Sequence, residues 1–283
     1  MRLLLTGAEG FTGQILSEQA QARGYEVYGL ASDITDKEAV TQEVARVEPE
    51  VVIHLAAISF VAHADDTAFY RVNVIGTQNI LAALVNLPTR PQSVILASSA
   101  LVYGNSKASP ITEVEPVAPP NHYALSKLAM EYIARTYFDR LPIIITRPFN
   151  YTGPGQAPEF LIPKLVRHFA QRATMIELGN LDVEREFNDV RMVCEAYLAL
   201  LQKGAQGEIY NVCSGSPFTL REVVSKLERL TDHTMQIKVN PAFVRPDEVR
   251  SLYGNAEKLK QCIGELPSYE LEDTLRWMLA SAS

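Results

Sequence analysis

Tyr123 and Lys127 lie four residues apart in HYALSKLAMEY, and helix-forming residues follow them. That spacing puts both side chains on one face of a helix, one turn apart. An ammonium beside a phenol stabilises the phenolate and lowers the phenol's pKa, so the phenol can exchange a proton near neutral pH. In the same half of the chain, TGAEGFTG at 6–13 sets Gly7, Gly10 and Gly13 in a G-x-x-G-x-x-G spacing. Glycines there allow a tight turn, close approach of backbone to a phosphate, and close packing of the helix that follows. A glycine-rich turn without ligand is the plainer alternative, but the position between a first strand and a first helix favours the phosphate. Together the two motifs describe an enzyme that holds a dinucleotide and moves a hydride while a tyrosine moves a proton.

A third group belongs with them. Ser99, in ASSALVYG, follows the apolar run SVILA. Ligands of doubly wound sheets collect at strand carboxyl ends, where a hydroxyl can donate to a carbonyl oxygen gaining charge. Ser98 is its neighbour, and one of the two serines is expected to cap the strand end.

The elements that must position these residues are legible as alternating strands and helices. Strands are expected at 2–6, 25–30, 51–55 and 93–97, and in LPIIIT before Arg147. Helices are expected at 11–23, 36–47, 66–86 and from Tyr123 to about 138, Asp65-Asp66 starting the third. Such alternation signals a parallel, doubly wound α/β sheet. After Pro148 the pattern changes: FNYTGPGQ is a turn cluster, then come helices near 158–171, 190–203 and 219–231, a strand at 208–213, and a final stretch with a short strand, the Pro-rich NPAFVRPDE and two helices. The boundary is placed at 152, giving a dinucleotide domain over 1–152 and a smaller α/β substrate domain over 153–283, with some later elements returning to the first sheet.

Composition bounds the function. The chain has 283 residues, 47% hydrophobic and 21% charged, within the range of a folded globular enzyme. A net charge of −7 gives no footprint for nucleic acid, and no apolar run is long enough for a membrane span. Cys194, Cys213 and Cys262 and the five histidines show no metal-ligand spacing, so no metal is expected. The segment before the glycine loop is too short for a signal peptide, and a cytoplasmic enzyme is expected. His54, in VVIHL, reads as a satisfied core residue, and Tyr132 and Tyr137 as packing.

TGAEGFTG, HLAA (54–57), NVIGTQN (73–79), ASSALVYG, YALSK and RPFN (147–150) occur in order across the whole chain. In this the chain resembles the extended short-chain dehydrogenase/reductases that act on nucleotide sugars. The resemblance implies a Rossmann-type domain, a small C-terminal domain for the sugar nucleotide, and a Ser-Tyr-Lys triad of Ser99, Tyr123 and Lys127. Lys127 would also hydrogen-bond the nicotinamide ribose. Cofactor contacts are carried over to Gly7, Gly10, Phe11, Thr12 and Gly13; to Asp33 and Ile34 at the adenine; and to Leu55, Ala56, Ala57 and Pro148. Asn73 would support the site backbone or be a buried structural residue.

The second half narrows the likeness. FNYTGPGQ, GNLDVEREFNDV, YNVCSG and RPDEVRSLYG resemble GDP-4-keto-6-deoxy-D-mannose reductases. That implies substrate contacts from Ser99, Ala100, Tyr123, Asn150 and Arg185, with Arg245 on the diphosphate and Glu248 on ribose hydroxyls. A guanidinium fork suits phosphate oxygens and a carboxylate suits a diol. The expected reaction is reduction of the C4 ketone of a nucleotide-4-keto-6-deoxyhexose, GDP-linked or dTDP-linked, in deoxysugar biosynthesis, by a homodimer. A 4-epimerase retaining NAD would use the same triad. A 4,6-dehydratase needs an acid and base after the triad hydroxyl, where this chain has Ala100 and Leu101. A dinucleotide-sensing regulator would lack the Tyr/Lys pair.

Three details remain. The position near Ala31, at the end of the second strand, lacks the carboxylate that grips the ribose in NAD enzymes. No arginine for a 2′-phosphate follows, though Ser32 could donate to one, so NADP(H) or NAD(H) is expected with weak discrimination leaning to NADPH. YEVYGLAS runs into DITD with no room for a helix and strand, so the sheet should lack an edge strand between 31 and 50. Tyr151 stands where D-rhamnose-forming reductases are expected to have His; lining the hexose pocket with Asn150, it leaves the rhamno or talo configuration at C4 open.

Overall fold

The computed structural model describes residues 1–282 apart from 62 and 244–248. In chain order its elements begin with β1 (Arg2–Thr6), α1 (Phe11–Ala22), β2 (Glu26–Gly29), α2 (Lys37–Val47), β3 (Val51–His54) and α3 (Asp66–Phe69). Then come α4 (Thr77–Val85), β4 (Ser93–Ala97), α5 (His122–Arg135), β5 (Ile143–Pro148), β6 (Tyr151–Thr152), α6 (Leu161–Ala170) and β7 (Met175–Leu178). The remainder is β8 (Glu184–Glu186), β9 (Asn188–Asp189), α7 (Val190–Lys203), β10 (Ile209–Val212), β11 (Pro217–Thr219), α8 (Leu220–Thr231), β12 (Gln236–Val239), β13 (Ser251–Leu252), α9 (Glu257–Ile263) and α10 (Leu271–Ser281).

Six parallel strands form the main sheet in the order β10-β5-β4-β3-β1-β2. The order reverses between β1 and β3, which opens a crevice at the strand carboxyl ends, the usual ligand site of such sheets. Alternation along each strand sends side chains to opposite faces. Leu3 and Leu5 pack with Leu16 of α1 and Val193 and Tyr197 of α7, while Leu4 packs with Val44 of α2, Leu84 of α4 and Met130 of α5. A separate apolar cluster joins α6, α8 and α10 over Phe187 and Ile176.

Residues 31–50 hold α2 and no strand, as expected, and β2 is the edge of the sheet. Asp36 caps α2 by accepting from Ala39 N, which starts the helix directly after the short link. The expected single helix over 66–86 is three pieces, with a π-helical turn at Tyr70–Gly76 between α3 and α4. The strands β8, β9, β11 and β13, two or three residues long, are too short to show alternation, and they escape a sequence reading together with β7. Past residue 152 the chain does not stay apart: β10 pairs with β5, and α7 covers α1.

Candidate active site

The site is assembled at the crevice between β1 and β3. Gly7 has φ 72°, a left-handed conformation that a side chain disfavours. A Cβ on Gly7 would lie 3.0 Å from Ala56 N, so the glycine loop and the Leu55–Ala57 segment touch backbone to backbone. A Cβ on Gly13 would lie 2.0 Å from Gly7 O, which is why the first turn of α1 can sit directly on the loop. Gly10 is the N-cap of α1 and brings no capping side chain, leaving the first-turn N–H groups directed at the crevice. This cradle fits a pyrophosphate, and Gly7, Gly10, Phe11, Thr12 and Gly13 would form it.

Strand β4 and helix α5 bring the reactive groups. Ser99 sits just past β4, its Oγ accepting from Leu101 N at 3.2 Å, and its hydroxyl lies near enough to the Tyr123 phenol to lower that group's pKa. Asn121 caps α5 by accepting from Ala124 N at 2.9 Å, fixing the helix start two residues before Tyr123. Lys127 is buried and its Nζ donates to Ala97 O at 2.8 Å. Burial lowers its pKa to about 8, opposed by the charge of Glu131. Burial also raises the pKa of Tyr123, and the Ser99 hydroxyl only partly offsets it. The sequence argument, that Lys127 would depress the phenol, thus meets a stronger opposing effect of desolvation.

The other expected site residues are placed unevenly. Pro148 ends β5 and Asn150 follows, its carbonyl accepting from Asn188 N at 2.9 Å. Ala100 is buried and opens a short 3-10 turn with Leu101, so no acid or base stands after Ser99. Ile34 packs beneath Gly76, with its carbonyl taken by Asn79 Nδ2 at 3.0 Å, while Asp33 is exposed and accepts from Thr35. Arg185 donates to the carbonyls of Glu184, Val249 and Arg250. Arg245 and Glu248 lie outside the described residues.

Tyr151 makes two contacts that the sequence did not suggest. Its ring stacks on Phe11 at 6.1 Å and its hydroxyl pairs with Thr12 Oγ1 at 2.9 Å. It therefore joins the FNYTGPGQ segment to the first turn of α1, and burial pushes its pKa up to about 12. Its phenol thus has a partner on the glycine-loop helix and also lies near enough to Tyr123 for the two phenols to influence each other.

Two supports were not foreseen. Behind Lys127, Glu131 accepts from Arg147 Nε at 2.9 Å, Arg147 Nη2 at 2.7 Å and Ser98 Oγ at 2.6 Å. Glu131 is 0% exposed and Arg147 3%. Ser98 is thus the structural serine and Ser99 the one that faces the phenol. The i,i+4 spacing of Lys127 and Glu131 was the available signal; pairing with Arg147 needed the fold. The second support runs through His54, whose Nδ1 lies 2.6 Å from Thr6 Oγ1 and Nε2 2.8 Å from Thr77 Oγ1. Thr77 Oγ1 donates to Asn73 O at 2.7 Å, so His54 donates from Nε2 and accepts at Nδ1. Asn73, in the π-helical turn, accepts from Ile58 N at 2.9 Å and donates to Ser126 Oγ at 2.9 Å. The chain of bonds ties the β1 end to α5, and His54 is the satisfied core residue the sequence suggested.

Comparison with known proteins agrees with this geometry. The family model described as GDP-mannose 4,6 dehydratase matches residues 30–278. A GDP-6-deoxy-D-talose 4-dehydrogenase of Aggregatibacter actinomycetemcomitans is 35% identical over 93% of this chain and 92% of its own. A GDP-6-deoxy-D-mannose reductase of Pseudomonas aeruginosa is 32% identical over 99% of this chain and 96% of its own. Among solved structures, a Burkholderia cenocepacia J2315 protein provisionally called an epimerase is 46% identical with TM-score 0.94, covering 99% of this chain and 97% of that one. The structure of RMD from Pseudomonas aeruginosa with NADPH is 31% identical with TM-score 0.91, covering 99% and 98%. The chain belongs to the GDP-mannose 4,6-dehydratase family of extended short-chain dehydrogenase/reductases.

Proposed function

We propose that this protein reduces the C4 ketone of a GDP-linked 4-keto-6-deoxyhexose with NADPH or NADH. The observation that supports the reading is the placement of Ser99 at the end of β4 with Tyr123 and Lys127 one turn apart on the buried side of α5, Ser99 being followed by the apolar pair Ala100 and Leu101. Reduced nicotinamide, when bound, supplies the hydride to the ketone carbon. Tyr123 gives its phenolic proton to the ketone oxygen, and the product is the secondary alcohol. Burial suits this direction, because it keeps the phenol protonated at neutral pH. Ser99 hydrogen-bonds the oxygen as charge develops there, and Lys127 holds a positive charge behind the phenol. With no acid and base after Ser99, elimination of water from the sugar has no support, despite the family's name.

The names of the talose dehydrogenase and the mannose reductase support a GDP-linked substrate. A 4-epimerase is the second reading, supported by the provisional name of the Burkholderia relative. Incubation with GDP-4-keto-6-deoxy-D-mannose and NADPH, followed by nicotinamide absorbance, tests the first reading. Stoichiometric loss of reduced cofactor is expected; interconversion of sugar nucleotides with no net loss overturns it. Contact sites for the sugar nucleotide are assigned to Asn150 and Arg185, together with Arg245 and Glu248. A homodimer is proposed through α5 and the adjoining π-helical turn, where Leu125, Tyr132 and Ile75 are exposed apolar side chains on neighbouring elements.

A further inference from the structure

The donors at the end of β2 are already used by a carboxylate of the protein itself. Glu43, on α2, accepts from Ala31 N at 3.0 Å through one oxygen. Its other oxygen accepts from Ser32 N at 2.8 Å and Ser32 Oγ at 2.5 Å. The side chain is 8% exposed. Burial alone would push its carboxyl up, but the hydrogen bonds from Ala31 and Ser32 outweigh that and hold it below the usual range. The carboxylate is ionised and fixed in place.

The location gives this arrangement its meaning. Leu30 N donates to Leu5 O, and a Cβ on Gly29 would lie 2.9 Å from Ala8 Cβ, so the end of β2 abuts the glycine loop. In doubly wound sheets the residues just past the second strand, about 20 after the glycine loop, meet the adenosine ribose. Two successive backbone N–H groups in a turn form an anion-binding concavity, and the Ser32 hydroxyl adds a third donor. These are the groups a ribose 2′-phosphate would use. Arg46 reaches the same carboxylate at 3.7 Å, but its side chain is 77% exposed and its charge is screened by water.

We propose that Glu43 is a specificity-determining residue for the dinucleotide: by filling the Ala31–Ser32 donors with a negative charge, it denies a 2′-phosphate its binding groups. The inference rests on the reading that the glycine cradle holds a dinucleotide. It also changes the role of Ser32, whose hydroxyl faces Glu43 and is not available to a phosphate. A carboxylate missing from the strand end in the sequence is supplied from a helix 11 residues further on.

Binding of NADH and NADPH to the full chain, followed by nicotinamide fluorescence without sugar substrate, provides the test. In the unaltered protein the two Kd values should lie within about tenfold of each other. Glu43→Gln keeps the shape and removes the charge, and should raise affinity for NADPH relative to NADH by about tenfold. Adding Ser32→Ala should take back part of that gain. A ratio in folded Glu43→Gln unchanged to within about twofold overturns the proposal. Competition by adenosine 2′,5′-bisphosphate against 5′-AMP tests the unaltered protein, whatever the variants' stability: a gain of more than about tenfold from the 2′-phosphate also overturns it. Failure of both dinucleotides to bind overturns the dinucleotide reading, and this proposal with it.

Discussion

At the scale of single residues, the reactive groups have separable roles. Tyr123→Phe removes the proton donor alone, so turnover should fall by about 10²–10⁴-fold with dinucleotide affinity nearly unchanged. Lys127→Met should lower turnover and also weaken dinucleotide binding if Lys127 makes the ribose contact that the resemblance implies. Steady-state rates and fluorescence titration of the same preparations separate the two, and near-normal turnover in Tyr123→Phe would remove the triad assignment. Tyr151 belongs to a different test. Its hydroxyl is spent on Thr12, so Tyr151→Phe should cost about 1 kcal/mol of stability and leave the C4 configuration of the product unchanged. Proton NMR of the product reads that configuration, and an inverted product would show that the phenol does reach the hexose. The triad and the glycine loop could be proposed from the sequence because their chemistry depends on local spacing. The bond from Tyr151 to Thr12 was not legible because it depends on how β6 lies against α1.

At the scale of elements, buried polar groups join the strands and helices that carry the site. Glu131 and Arg147 link α5 to β5, and neither can be removed alone without leaving a buried charge. Glu131→Gln should therefore cost about 3–5 kcal/mol, while Glu131→Gln with Arg147→Met should recover most of that loss. Denaturant melts of both variants check this, and equal losses would mean that the pair itself, and not the stranded charge, supplies the stability. His54 joins β3 to β1 and α4 as a neutral ring. Burial, with a smaller contribution from the Lys127 charge, holds its pKa down to about 3, against 6.5 for the ordinary group. The unfolded chain binds this proton first, so the contribution is complete above about pH 6.5 and is lost as pH falls toward 3. That is on the order of 5 kcal/mol, and an asparagine at position 54 should flatten this part of the stability–pH curve. Past residue 150 the helices α6, α7 and α8 and the strand β10 were legible to within three residues, whereas strands of two or three residues carry too few side chains to show a period. The missing edge strand was legible because it is a matter of chain length alone.

At the scale of the whole molecule, assembly and order of formation both follow from the topology. If α5 forms the proposed dimer face, Leu125→Asp together with Tyr132→Asp should give a monomer by light scattering at concentrations where the unaltered chain is a dimer. An unaltered chain that is monomeric throughout that range would dismiss the dimer. The return of the later chain to the first sheet has a separate consequence. Strand β5 gains its outer neighbour only with β10, and α1, which already packs on β1 through Leu16, is covered on its other side by α7. A ribosome adds about 5–20 residues per second, so roughly 10–40 s separate the emergence of β1 from that of β10. During that interval the nascent chain carries an open strand edge and an uncovered helix face, the two surfaces most prone to capture by another chain. The first half of this protein is therefore expected to stay incompletely packed while it is made. Its newborn chains should depend on a holding chaperone until the codons for α7 and β10 have been read.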